Sequence, residues 1–364
     1  MGCRRYWGCI VVVLWMGCGS EGARSGPALE PRPESQTCLA LSSEMPRLLS
    51  ETGCFADLQE LEPGPDLIPY EVNSALWTDG AFKPRYMVVP PSSQIAIRND
   101  GTWEFPEGSI LIKMFGFEFE AGNPTSRRAV ETRFMVLRDG EWKFTTYRWN
   151  EEGTDGERLD DELLTVTYTL DDHGELRDLD YLFPDQDACI TCHGAGVSRV
   201  LGPKTAQLNR DHDYDGLLEN QLLAMAGIGL FTTDTEIDPS ALPRMANPQK
   251  LQGSLEDQAR AYFDANCAHC HQPAGWASES SDLDLRYETP LGSTRLCDPM
   301  QFPGWEGVPR IAPGNPADSG VLQRFRLDDD LDDALRMPSL GSSTVDPSGA
   351  RLISDWIEQL DTCP

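Results

Sequence analysis

The sequence predicts a multidomain α+β protein: an N-terminal antiparallel β domain over 37–185, a short cysteine-bearing segment over 186–250, and an all-α module over 251–364. Three observations carry this expectation. Between Tyr70 and Phe183, β-branched and aromatic runs alternate with Gly, Pro and Asp-Gly turns. Pro184 and Asp185 then close that pattern. Further on, two stretches place apolar residues at helical spacing behind capping residues.

Ahead of the β domain, residues 1–17 read as an export signal. Arg4 and Arg5 make a positive start, and Ile10 to Trp15 an apolar core too short to span a bilayer. The core runs into Met16-Gly17-Cys18-Gly19-Ser20, which resembles the lipobox of bacterial lipoproteins, although Leu14 lies four residues before the cysteine and Trp15 takes the usual Leu place. The expectation is a periplasmic or cell-envelope protein, lipid-anchored at Cys18. Residues 18–36 are rich in Gly, Ser, Pro and Glu and read as a flexible spacer. No other segment reaches ~18 consecutive apolar residues.

Within the β domain, Arg85–Pro90, Gln94–Arg98 and Ile110–Phe119 are candidate strands. Asp139-Gly140 sits between two further runs, a strong hairpin signal, and His173-Gly174 repeats the arrangement. The expected form is a sandwich or barrel. Leu217 to Phe231 looks helical, and a Pro-rich connection follows it. In the last region Ser254 with Asp257 makes a capping box ahead of Leu255, Ala259, Tyr262 and Phe263. Asp346-Pro347 starts a second helix, with Leu352, Ile353, Trp356, Ile357 and Leu360 on one face.

The formal charge of −29 argues against nucleic acid, whose binding needs a basic face. It describes a solvated acidic surface that would also steer a partner with a basic docking face. The acidic run Leu327 to Asp333 lacks the spacing of a calcium loop and reads as a solvated turn.

Of the 11 cysteines, Cys3 and Cys9 leave with the signal and Cys18 would carry lipid. Cys38, Cys54, Cys297 and Cys363 form an even set in a compartment that permits disulfides. Proximity suggests Cys38–Cys54 and Cys297–Cys363, although four cysteines allow three connectivities. The remaining four make two Cys-x-x-Cys-His motifs, Cys189–His193 and Cys267–His271. In a helical turn this spacing offers both sulfurs to one porphyrin edge and points the following imidazole beneath the ring centre, the attachment of a c-type haem. Zinc through four cysteines would need the two pairs to converge, and gives no reason for a His after each. A redox dithiol wants a βα context, and disulfides closed within the motifs would be strained. The expectation is therefore two covalently bound c-type haems. Cys189, Cys192, Cys267 and Cys270 are the anchors, His193 and His271 the proximal iron ligands, and His269 a bystander.

A thioether opposite His suits electron transfer, whereas an open position suits peroxide chemistry. After Cys270 the candidates are Met300 and Met337. For the first haem they are His173, His212, Met225, Met245, Met87 and Met114, or a vacant position.

From about Ser74 onward the chain resembles a bacterial family of exported dihaem c-type cytochromes, known mainly as hypothetical proteins. The segments that carry the resemblance are "SALWTDGAFKPRYMVVP", "YRWNEEGTDGE", "CITCHGAGVSRVLGPKTAQLN", "RAYFDANCAHCHQPAG", "LDLRYETPLG" and "APGNPADSGVL". The last region by itself is similar to class I cytochrome c, which implies an all-α cytochrome c-like domain. Met337 in "RMPSL" resembles the distal Met-Pro loop of that class. The resemblance implies one-electron transfer with a redox partner. Two rivals remain: a dihaem, peroxidase-like enzyme with an open distal site on the first haem, and a β domain that binds a partner or glycan.

Overall fold

A computed structural model describes residues 28–39, 44–194, 200–232, 237–273, 275–327 and 336–363. The export signal, Cys18 and residues 328–333 of the acidic run lie outside these. No helix among the described residues is long and apolar enough to cross a membrane.

At the centre is a six-stranded antiparallel sheet in which chain neighbours are also spatial neighbours. Its strands are β1 (Ile68–Pro69), β2 (Arg85–Val88), β3 (Ile110–Glu118), β4 (Arg127–Arg138), β5 (Glu141–Trp149) and β6 (Gly156–Arg158). The β4–β5 turn carries Asp139 and Gly140 at φ 54° and 73°. Positive φ at both central positions gives the tight turn whose twist matches the flanking strands. A register shift after Phe115 brings Gly116 so close to Phe82 that a Cβ would stand 2.2 Å from the ring, so this position needs glycine. The hairpin of β7 (Leu164–Asp172) and β8 (Glu175–Phe183) is a separate two-stranded sheet, and so is that of β9 (Asp211–Tyr214) and β10 (Leu217–Asn220). The described strands therefore make one open sheet with satellite hairpins, in place of the expected sandwich or barrel.

Both faces of the sheet are covered, which is why β3 reads as a nearly unbroken apolar run. One face carries Tyr86, Ile110, Ile112, Phe134 and Tyr147 against Leu39 and Leu49, beside the Cys38–Cys54 disulfide. The other carries Met87, Leu111, Met135 and Phe144 against Leu208, Leu222, Met225 and Phe231. At its far end Phe115 and Phe117 meet Leu179, Tyr181 and Phe183 of the β7–β8 hairpin. The described part of the expected spacer packs on this region too. Ala28 and Leu29 are buried, and Arg32 donates to the carbonyls of Ser93 (2.8 Å) and Gly229 (3.1 Å). Two apolar side chains and one anchored guanidinium hold a stretch whose average composition looks unfoldable.

Beside two further short strand pairs and several 3-10 turns, the described residues form six short α-helices: α1 (Gln186–His193), α2 (Thr205–Leu208), α3 (Gln221–Gly227), α4 (Leu255–Asn266), α5 (Gly320–Phe325) and α6 (Pro347–Glu358). The helix expected over 217–231 is shorter. Asp215-Gly216 turns the chain into β10, and Asn220 caps α3. Among the described residues the expected all-α cytochrome c-like domain is not present: the protein is mostly β-rich, and the only α-helices in the described part of 251–364 are α4, α5 and α6, beside short 3-10 turns. Only the two capped stretches had helical periodicity. Between them Pro273, Pro290, Pro299, Pro303, Pro309, Pro313 and Pro316 remove amide donors and impose turns. The region keeps a core nonetheless, with Phe263, Leu322, Ile353, Trp356 and Ile357 together and the Cys297–Cys363 disulfide at its edge.

Candidate functional site

Each cysteine motif occupies one helical turn. In the first, Asp185 caps α1 by accepting from the Ala188 amide at 2.8 Å. Cys189 and Cys192 then fall three residues apart on one side of the helix. In the second, α4 ends at Asn266, and the turn continues through hydrogen bonds from the Cys270 and His271 amides to the Cys267 carbonyl (3.1 and 2.9 Å). Gly275 closes over the motif so tightly that a Cβ would stand 2.3 Å from the Cys270 carbonyl oxygen.

The "SALWTDGAFK" segment positions the second motif on the sheet. The Trp77 amide donates to Asn266 Oδ1 (2.7 Å), immediately before Cys267, and its indole donates to the Thr344 carbonyl (2.9 Å). Asp79 accepts from the Ser343 amide and from both the amide and hydroxyl of Thr344 (2.7–2.9 Å). Asn266 is fully buried, so its amide is committed to this joint. Sequence reasoning missed Asn266 and Trp77 as positioning residues. Their only signal was their place in the segments that carried the family resemblance.

The two motifs converge. Ligand atoms of Cys192, His269 and Cys270 all lie within 4.8 Å of one another. The neighbouring Cys270 thiol, and then His269, hold the Cys192 thiol well below its usual range, and Cys192 in turn pushes Cys270 up. His269, expected as a bystander, thus sits in the joint. The residue after each pair does not join the group. The His193 ring lies 5.4 Å from that of Phe144 on β5. His271 is enclosed, with the cations of Arg324 and Arg310 near it and its Nδ1 buried without a hydrogen bond.

All four motif cysteines are free of disulfides. Burial pushes the Cys189 thiol up to about 11 and Cys267 to about 12. Those two thiols are disfavoured as thiolates, the form that metal ligation needs, whereas Cys192 in the joint is favoured as one. Burial first, then the charges of His269, Arg324 and Arg310, bring His271 down to about 4, so its imidazole is neutral at pH 7 with a lone pair to give. The sulfurs of each turn and the neutral His271 imidazole are the groups that would hold a covalently attached haem.

Met337 belongs to the surroundings of His271. Its amide donates to the Arg324 carbonyl at 3.1 Å, and Arg324 is one of the cations acting on that imidazole. Met300 instead packs on the first residue of α5, where a Cβ at Gly320 would meet its Cε at 2.5 Å. Among the candidates for the first motif, His173 stands exposed at the tip of the β7–β8 hairpin. His212 lies 3.6 Å from the Glu71 carboxylate. Met87 and Met225 are buried in the core beneath Phe144, Met114 in the opposite core, and Met245 in a small cluster with Ala246 and Ala261. A groove of about 520 Å³ runs past Arg32, Asp66, His212 and Tyr214 and contains no motif residue.

No protein family, curated protein or solved structure matches this chain. The resemblance to dihaem cytochromes therefore stands on the quoted segments alone.

Proposed function

We propose that the protein is an exported dihaem c-type cytochrome that exchanges single electrons with a redox partner. One observation carries the reading. The two Cys-x-x-Cys-His turns meet through Cys192 and Cys270, while His193 and His271 enter separate surroundings. That arrangement suits two adjacent groups with separate proximal ligands better than one shared ion. Cys189 with Cys192, and Cys267 with Cys270, would anchor the two haems. His193 and His271 would ligate the irons, with Met337 opposite His271. A bound c-type haem supplies a one-electron iron couple whose potential depends on axial ligands and burial. The chain's part is to hold each imidazole neutral and fixed, and to keep the anchoring sulfurs in partly buried turns. The acidic surface would guide a partner with a basic docking face, an effect weakened by salt.

The test is a pyridine haemochrome assay with intact mass on protein matured in a host that attaches c-type haem. The expected result is two haems per chain. Haem-free protein matured under those conditions would sink the reading.

The Cys192–His269–Cys270 group supports a second reading, a single zinc or copper ion held by two sulfurs and a nitrogen. It leaves His193 and His271 without a role. One equivalent of metal and no haem after that same maturation would establish it.

A further inference from the structure

The sheet face beneath the first motif carries a transverse row of cations. Arg85 pairs with Lys113 across β2 and β3, and Lys113 pairs with Arg133 across β3 and β4, so the three side chains share one face. Lys83 adds a fourth charge just outside β2. The row lies between the apolar patch of Met87, Leu111, Met135 and Phe144 and the Phe115–Tyr181 patch. Above it sits α1, with Cys189 within electrostatic reach of Arg133 and His193 against Phe144.

The row has too little negative charge. Glu131 is fully buried but already committed, accepting two hydrogen bonds from Arg133 (2.6 and 2.8 Å) and one from the Tyr181 hydroxyl (2.5 Å). Asp79 is taken by the backbone of Ser343 and Thr344, and Asp346 caps α6. Arg85 donates to the Lys83 carbonyl and Lys83 to that of Leu76, both at 2.8 Å. Among the described residues, Lys113 Nζ has no hydrogen-bond or ion-pair partner and stands 4.7 Å from the centroid of the Phe115 ring. A cation–π contact offsets only part of the cost of holding a half-buried ammonium beside two guanidiniums. Burial, and then the neighbouring cations, accordingly hold Lys113 well below its usual range. In a chain of net charge −29, this half-buried surplus of cations is not a by-product of composition.

We infer that Lys113, flanked by Arg85 and Lys83, receives the carboxylates of the group anchored at Cys189 and Cys192. The inference rests on the haem reading, since a haem carries two propionates that need a counter-charge when partly buried. Carboxylate is the chemistry recognised, and a free dicarboxylate is the other source of it.

The experiment uses the full-length, matured protein and its Lys113→Gln, Lys113→Arg and Lys143→Gln variants. Haem count and midpoint potentials are read by spectroelectrochemical titration. Removing a cation beside the propionates favours the oxidised form. K113Q should therefore keep two haems and lower one midpoint by a tenfold shift in equilibrium or more, about 59 mV for one electron. K113R should restore it, and K143Q, at an exposed pair with Glu141, should leave both midpoints in place. Arg85→Gln supplies the same comparison if K113Q does not accumulate. Two haems with unchanged midpoints in K113Q and R85Q would overturn the inference while leaving the haem reading intact. A wild-type midpoint that shifts on adding succinate would assign the row to a free anion and overturn it as well. A wild-type chain without covalent haem would overturn both.

Discussion

The sulfurs of Cys192 and Cys270 lie within 4.8 Å of one another, so the two cysteine motifs, far apart in the chain, share one joint. Asn266 holds one side of that joint through Trp77, and α1 holds the other against β5. The behaviour of each motif can therefore be tested separately.

His271→Ala removes the proximal nitrogen of the second motif but leaves Cys267 and Cys270. The expected outcome is an unchanged haem count and loss of the low-spin signal of the second haem, whose iron loses its ligand. Electron paramagnetic resonance reads the spin state, and far-ultraviolet circular dichroism should show the sheet retained. A full low-spin signal in the variant would refute the ligand assignment.

Met337→Ala should remove the weak far-red absorption of methionine-ligated ferric haem and lower one midpoint, because a thioether opposite His raises the potential. Met300→Ala should leave the band in place, as Met300 packs against Gly320. The reverse pattern would move the ligand to Met300.

The Cys297–Cys363 disulfide closes a separation of 66 residues and ties the chain end beyond α6 to the loop after α4. The chain-entropy relation gives about 4 kcal/mol for such a loop, and about 3 kcal/mol for Cys38–Cys54 across 16 residues. Replacing Cys297 and Cys363 by Ser should lower the urea midpoint of the C-terminal region more than the Cys38/Cys54 pair lowers that of the sheet. Unchanged denaturation in both would contradict the pairing.

Glu71 links Arg210 (2.6 Å) and His212 (3.6 Å). The neighbouring His212 imidazole, followed by the Arg210 charge and opposed by burial, brings its carboxyl down to about 2. Its folded state thus binds a proton less readily than the unfolded chain. The stabilisation is full above the ordinary carboxylate range near pH 4.5 and is lost as pH falls toward 2. Because the side chain is half exposed, screening leaves about 1 kcal/mol. Glu71→Gln should flatten the acid limb of the stability–pH curve by that amount and leave it unchanged at pH 2. An identical acid limb in wild type and variant would exclude the linkage.

Local features of this protein were legible without the fold. Asp139-Gly140 and His173-Gly174 announced the two hairpins, Ser254 and Asp346 announced α4 and α6, and the short separations suggested both disulfides. The hairpins and caps depend on a few adjacent residues with strong backbone preferences. The all-α expectation for 251–364 fails because a proline-rich stretch with no helical period separates two well-capped helices.

The sequence by itself determined the chemistry on offer: two Cys-x-x-Cys-His turns, one free methionine loop, an acidic surface and alternating strands. Only the tertiary structure decided that Cys192 meets Cys270, that His269 enters their joint, and that Arg85, Lys113 and Arg133 fall in one row. The reason is physical. The period of a strand says which residues share a face, and the spacing of a motif says which atoms share a turn. Register between strands, and the element that covers a given face, follow from the packing of segments that are distant in the chain. Lys113 stands as a lone cation within "ILIKMFGF", but that it falls between Arg85 and Arg133 follows only from the strand register.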